Sequence, residues 1–283
     1  MGAEKNEDRI YAFGYSPAAV GMMESRSAEQ NAAFFLGHLS PGMRVLDIGC
    51  GPGTITVGLA AAVPQGEVVG IDIEPSQIAL AQSRAESLGL SNCQFESASV
   101  YELPIADQSV DAVFGHTILM QFRDLGPVLD EIKRVLRPGG LVGFREVDFG
   151  ASFYHSEDSA LKGVMSILRR SIFHNDSNAD IGHALPSILS HAGFEILSAS
   201  ATYACASTPQ AKKGMYAAIT RLWKQADFVD QAESLGWIHA EDRSETVRRL
   251  EQEAADPGSF SGTSYAEAVA RDSRAQIKGN GAA

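Results

Sequence analysis

The stretch VLDIGCGPGT, Val45–Thr54, decides the fold. Val45, Leu46 and Ile48 read as a buried strand. Gly49, Gly51 and Gly53 follow at alternate positions, and Thr54–Val63 reads as a helix stopped by Pro64 and Gly66. A strand that runs through glycines into a helix turns its backbone amides toward whatever lies against the turn. A dinucleotide site would need G-x-G-x-x-G. Here the spacing is G-x-G-x-G, and Thr54 stands where the third glycine belongs. The turn therefore points to a ligand without a pyrophosphate.

Working outward, Glu67–Ile73 reads as a second strand. Asp72 at its end is placed to accept hydrogen bonds from ribose hydroxyls, which implies a nucleoside; the competing reading is a cap for the next helix. That helix starts at Pro75, carries Ile78, Ala81, Ala85 and Leu88 at helical spacing, and stops at Gly89. Cys93–Ser97 and Asp111–Gly115 read as the third and fourth strands. A helix with Val128, Leu129, Ile132, Val135 and Leu136 on one face ends at Pro138-Gly139-Gly140, and Leu141–Asp148 is the fifth strand. This alternation implies right-handed crossovers and a mostly parallel sheet, with ligands beyond the carboxyl ends of the strands. Further on, Leu161, Val164, Met165 and Leu168 mark one helix. Leu185, Ile188 and Leu189 mark another, closed by Gly193. Glu195–Tyr203 is a sixth strand, Pro209–Ala255 a helical insertion, and Pro257–Arg271 holds a short last strand. The Gly/Ala-rich tail from Ser273 is expected to be disordered.

The run from Asp47 to Gly53, followed by GIDIEPSQI, resembles the class I S-adenosylmethionine-dependent methyltransferases; YELPIADQSVDAVFGH and RVLRPGGLV resemble further blocks of their UbiE-like, small-molecule branch. The resemblance runs from about Tyr11 to Tyr203. It implies a Rossmann-like α/β fold: a seven-stranded, mostly parallel sheet whose last strand is antiparallel, with helices on both faces. On that basis residues 1–40 form an N-terminal helical lid, 41–205 the cofactor-binding core, 206–272 the helical insertion and last strand, and 273–283 the tail. The implied cofactor is S-adenosyl-L-methionine. Its methionine part would lie across Gly49, Cys50 and Gly51, its ribose against Asp72, and its adenine beside Ile73. Asp47 would brace the loop. Ser99 and Val100 stand where the family has an Asp facing the adenine amine. ESRSAEQNAAFFL, Glu24–Leu36, reads as one amphipathic helix resembling that of glycine N-methyltransferase, whose arginine grips the cofactor carboxylate; the matching residue is Arg26. Gln77, Gly115 and His116 complete the expected cofactor set.

Methyl transfer needs a positioned acceptor and excluded water, and a base only for a hydroxyl or carbon acceptor. His116, at the end of the fourth strand, is the candidate base, with Tyr15 beside it in a lid, YAFGYSP. Glu146 and Asp148 are expected on alternate sides of the fifth strand, one of them facing the acceptor. Tyr11, Tyr15, Phe153, His155 and Trp223 are the other expected acceptor contacts. A small-molecule acceptor taking the methyl group on O, N or C is expected. The alternatives are a cyclase that keeps the cofactor as a structural element, and an RNA or protein methyltransferase. The net charge of −12 and the scattering of basic residues into pairs disfavour a nucleic-acid partner. No apolar run suits a bilayer, and the polar start lacks a signal-peptide core, so a cytoplasmic location without membrane attachment is expected. Cys50, Cys93 and Cys205 are too scattered for a disulfide framework or a zinc site, and no ligand cluster suggests a catalytic metal. The N-terminal helix or the insertion could support a homodimer.

Overall fold

The computed structural model describes residues 13–274. Tyr11 and the tail beyond Arg274 lie outside the described residues. Helices α1 (Pro17–Glu24), α2 (Ala28–Asn31) and α3 (Ala33–Leu36) lead into β1 (Arg44–Ile48). Then come α4 (Thr54–Ala62), β2 (Glu67–Asp72), α5 (Pro75–Ser87), β3 (Cys93–Ser97), β4 (Val110–His116), α6 (Gly126–Val135) and β5 (Leu136–Phe153). The chain continues through α7 (Ala160–His174), α8 (Leu185–His191), β6 (Phe194–Cys205), α9 (Pro209–Gln225), α10 (Asp227–Ser234), α11 (Ala240–Ala255) and β7 (Gly262–Asp272).

The strands form one seven-stranded sheet in the order β3-β2-β1-β4-β5-β7-β6. β1 pairs in parallel with β2 and β4, β2 with β3, and β4 with β5. The sheet is mostly parallel with an antiparallel end. β1 is buried from Val45 to Ile48, as strands covered on both faces are. The core beside it gathers Phe35, Leu59, Val68 and Phe114. The rings of Phe35 and Phe114 are 5.6 Å apart. A Cβ on Gly143 would stand 2.3 Å from the Phe35 ring, so this glycine lets α3 lie against β5.

Two expectations change. The single helix expected over Glu24–Leu36 is instead the last residue of α1 and two short helices, α2 and α3. Its backbone breaks at Ala32, with φ −125° and ψ 9°. Ser27, extended at φ −147° and ψ 162°, starts α2 afresh, and Asn31 Oδ1 accepts its N–H at 3.1 Å. The fifth strand also starts earlier than expected. Leu136 pairs with Val110 before an irregularity, and Gly139 takes a left-handed φ of +83° where the chain crosses it.

The chain divides into two compact units. One comprises Met23–Asp148, Asp180–Thr202 and the described chain from Ser264. The other comprises the described residues up to Met22, with Phe149–Ala179 and Tyr203–Thr263. In the second, the insertion forms α9, α10 and α11. There the Glu253 carboxylate accepts hydrogen bonds from Ser159 Oγ at 3.0 Å, the Ala160 N–H, and Tyr216 Oη at 3.2 Å, and so joins α11 to the start of α7. Among the described residues no helix is long and apolar enough to cross a membrane.

Candidate active site

Each glycine of the loop after β1 is left-handed, with φ of +67° at Gly49, +53° at Gly51 and +74° at Gly53. Their surroundings differ. A Cβ on Gly49 would stand 2.6 Å from Ile118 Cδ1, and one on Gly53 would stand 2.8 Å from Ala81 Cβ. Both are required by the protein's own packing. A Cβ on Gly51 would meet only Met23 Sδ, at 3.6 Å. Gly51 is thus the one glycine of the three that packing within the described residues does not require.

Gly51 N–H donates to Asp72 Oδ2 at 2.9 Å, and Glu74 N–H donates to Asp72 Oδ1 at 3.0 Å. The carboxylate therefore ties the glycine loop to the end of β2 and also serves the start of α5. Burial raises its pKa, while these amides work against the rise. Asp47 lies beneath, accepting Thr56 Oγ1 at 2.6 Å, and burial pushes its pKa up to about 7. Cys50 is buried, and burial raises its thiol well above the usual range, so it is a packing residue and not a nucleophile. Ile73, next to Asp72, is 63% exposed, an apolar face presented to solvent beside a carboxylate. Gln77 in the first turn of α5 is 1% exposed, and its Oε1 has no hydrogen-bond partner among the described residues. Ser99 Oγ accepts the Tyr101 N–H at 3.3 Å, and Val100 is buried.

The end of β4 forms the other side. Arg26 is half-buried, and no ion pair holds its guanidinium among the described residues. Its charge acts on His116 and Glu146. His116 is 6% exposed. Its Nε2 faces Arg145 Nη1 at 3.0 Å and Asn31 Nδ2 at 3.3 Å; its Nδ1 faces Thr117 Oγ1 at 3.0 Å. Burial, then Arg26 and Arg145, holds its pKa well below the usual histidine value. Gly115 is packed against Ile118 and Phe144.

Glu146 and Asp148 are two residues apart on one strand and so share a face, which corrects the expected alternation. Each serves the backbone. Glu146 is fully buried and accepts the N–H groups of Ile118 and Leu119 at 3.0 and 2.8 Å, and of Met120 at 3.3 Å. Burial pushes its pKa up to about 7 against those bonds. Asp148 accepts the His183 N–H at 2.9 Å and faces His183 Nδ1 at 2.8 Å. Both act on loop geometry, where the sequence had placed them against an acceptor.

The other expected acceptor residues belong to the second compact unit. Tyr15 is 38% exposed. Phe153 packs its ring 5.3 Å from both Tyr203 and Phe260. His155 donates its N–H to Ser261 Oγ at 3.2 Å, with Nε2 3.7 Å from Asp256. Trp223 is buried 6.3 Å from Phe228. A cavity of about 570 Å³ in this unit is lined by Phe149, Phe153, Tyr154 and Met165, by serines, and by Arg169 and the Lys162–Glu157 ion pair. Of the expected contacts only Phe153 lines it.

Sequence reasoning missed Asn31, Thr117, Arg145, Tyr265 and Glu267. One signal was available: Arg145 interrupts the apolar run LVGFREVDF. Thr117, a β-branched residue at φ +57°, carried none. Among the described residues no cluster of His, Cys, Asp and Glu could hold a metal ion.

A glycine loop after β1, tied to a carboxylate after β2 on this strand order, defines a nucleoside-binding α/β protein. The family is specific: residues 39–207 match the model of a methyltransferase domain, and the chain belongs to that family. An uncharacterized methyltransferase of Schizosaccharomyces pombe is 37% identical over 154 residues, 52% of this chain and 55% of that protein. A probable methyltransferase of Aspergillus luteorubrus is 32% identical over 204 residues, 68% of this chain and 71% of that protein. The chain thus spans about half the length of the first relative. The fold resembles that of geranyl diphosphate C-methyltransferase from Streptomyces coelicolor, solved with Mg2+, geranyl diphosphate and S-adenosylhomocysteine. Its TM-score is 0.51 at 16% identity, over 86% of this chain and 78% of that one.

Proposed function

We propose that this protein is an S-adenosylmethionine-dependent methyltransferase acting on a small, largely apolar acceptor. The observation that carries the reading is Gly51: a left-handed residue whose side-chain position meets nothing closer than Met23 Sδ at 3.6 Å among the described residues, with its amide tied to Asp72. The residues around it fit the cofactor. The guanidinium of Arg26, without an ion pair among the described residues, suits the amino-acid carboxylate. Asp72 suits the ribose hydroxyls, and exposed Ile73 suits one face of the adenine. The orphaned Oε1 of buried Gln77 can accept one hydrogen bond, and Ser99 with the Val100 amide can meet the base edge.

Bound there, the cofactor supplies an activated methyl group on a sulfonium. The chain then has to hold the acceptor in line and exclude water. Phe149, Phe153, Tyr154 and Met165 in the cavity lining support an apolar part of the acceptor, and Ser152, Ser156 and Ser166 a polar part. The exposed phenol of Tyr15 is a further acceptor contact under this reading.

The test is incubation with labelled S-adenosylmethionine and fractionated small-molecule extract, following S-adenosylhomocysteine release and product mass together. A product one methyl heavier, formed in step with S-adenosylhomocysteine, is expected. Conversion of the acceptor at unchanged mass without S-adenosylhomocysteine would replace the reading with cyclisation. Label appearing in RNA or protein would move the acceptor to a macromolecule.

A further inference from the structure

We infer that Arg145 is a positioning residue for methyl transfer: its buried guanidinium takes the Nε2 lone pair of His116 and makes that ring a fixed, neutral spacer instead of a base. The inference rests on the methyltransferase reading above. Arg145 sits in the middle of β5 and is 4% exposed. A buried guanidinium is costly unless each donor is answered, and an apolar residue would serve packing better. Here three of its five N–H donors are answered among the described residues. Nε donates to Glu267 Oε1 at 3.0 Å, Nη1 to His116 Nε2 at 3.0 Å, and Nη2 to Thr202 Oγ1 at 3.4 Å. The Tyr265 ring lies 3.6 Å from its Cζ. Glu267 is in turn held by Ser200 Oγ at 2.9 Å and Thr202 Oγ1 at 2.8 Å. The result is one polar row across β4, β5, β7 and β6.

An arginine only donates, so Nε2 must accept, and the ring proton lies on Nδ1, where it can be donated to Thr117 Oγ1. Asn31 Oδ1 already accepts the Ser27 N–H, which leaves its Nδ2 to donate to the same Nε2. The lone pair a base would use is therefore occupied twice. The charged and titratable groups around the ring are Arg26, Arg145 and Tyr265, with Glu146 and Glu267 beyond them. The two arginines and burial all disfavour an imidazolium.

The row ends where the proposed reaction would occur. Arg145 also accepts the Thr117 N–H on its carbonyl at 2.8 Å, holding a threonine in the left-handed region. Ile118, the next residue, closes against Gly49. Asn31, on the other side of the ring, follows Arg26 through the turn into α2. Arg145 thus holds the end of β4 through its guanidinium on His116 and its carbonyl on Thr117.

The test compares kcat against pH for the parent, His116→Gln, Arg145→Lys and the double variant Arg145→Met/Glu267→Gln, which removes both charges and leaves no orphaned ion. In the parent and in His116→Gln the profiles should have the same shape across the histidine range, and His116→Gln should keep kcat within about tenfold, because glutamine can still accept from Arg145. The double variant should lose roughly 10–100-fold in kcat and still show no acid limb across the histidine range, since burial and Arg26 continue to hold the ring neutral. Arg145→Lys should fall between, keeping charge without the fork. A parent limb near the histidine pKa that disappears in His116→Gln, with kcat down about 10²–10⁴-fold, would overturn the inference and make His116 the base. His116→Gln decides the matter alone if the double variant does not fold. Absence of S-adenosylhomocysteine release from the parent would instead remove the underlying reading.

Discussion

Replacing Gly51 by alanine separates a ligand-facing glycine from a packing one, with Gly53→Ala as the internal comparison. An alanine held at φ +53° costs roughly 1–2 kcal/mol for the left-handed backbone. Its methyl would meet only Met23 Sδ at 3.6 Å, an ordinary contact, so no further penalty arises within the protein. A fall in melting temperature of about 2–8 °C follows. The same methyl occupies the space assigned to the cofactor. Overpacking of that kind costs roughly 1–3 kcal/mol, or about 5- to 150-fold in affinity. Gly53→Ala has the same kind of backbone cost at φ +74°, but its Cβ would stand 2.8 Å from Ala81 and 3.0 Å from the Phe95 ring. It should therefore lose more stability, about 2–5 kcal/mol, and less affinity per folded molecule. Thermal melts paired with calorimetric titration of S-adenosylhomocysteine read both quantities. If Gly51→Ala binds within twofold of the parent while its melting temperature falls as expected, no ligand lies against Gly51 and the reasoning fails.

Other predictions follow from single residues. Arg26→Met should weaken S-adenosylhomocysteine by roughly 10–100-fold, the loss of a charge-assisted pair, with little change in melting temperature because the guanidinium holds no ion pair among the described residues. Unchanged affinity would remove Arg26 from the site. Asp47 and Glu146 each have folded pKa values raised to about 7 by burial. Between the usual carboxylate range and pH 7 the folded state binds more protons than the unfolded one, so these groups make stability fall as pH rises from about 4 to 7. Asp47→Asn and Glu146→Gln should each flatten that slope in melts against pH; an undiminished slope would assign the effect elsewhere.

The legible parts of this chain are those where one local pattern fixes the answer. Val45–Ile48, the three glycines and Asp72 were readable because strand burial, left-handed turns and a strand-end carboxylate all act over a few residues. The helix over Glu24–Leu36 was misread because Ala28, Ala32 and Phe35 keep helical spacing, while the backbone leaves the helical region at Ser27 and again at Ala32. The row through Arg145 was invisible for another reason: Glu267 lies 122 residues away, and no local period joins the two. Glu146 and Asp148 were drawn toward an acceptor by their position at a strand end; the structure gives both to backbone amides of neighbouring turns. Thr117 takes its left-handed backbone from the Arg145 carbonyl, a tertiary constraint no residue preference signals.

The central claim is that the glycine loop and Asp72 hold S-adenosylmethionine. Calorimetric titration of S-adenosylhomocysteine into the parent and Asp72→Ala tests it most directly. One site per chain is predicted for the parent. Loss of the Asp72 carboxylate should weaken binding by about 1–3 kcal/mol, roughly 5- to 150-fold. No heat of binding at millimolar ligand, or equal affinity in the two proteins with both folded, would contradict the claim.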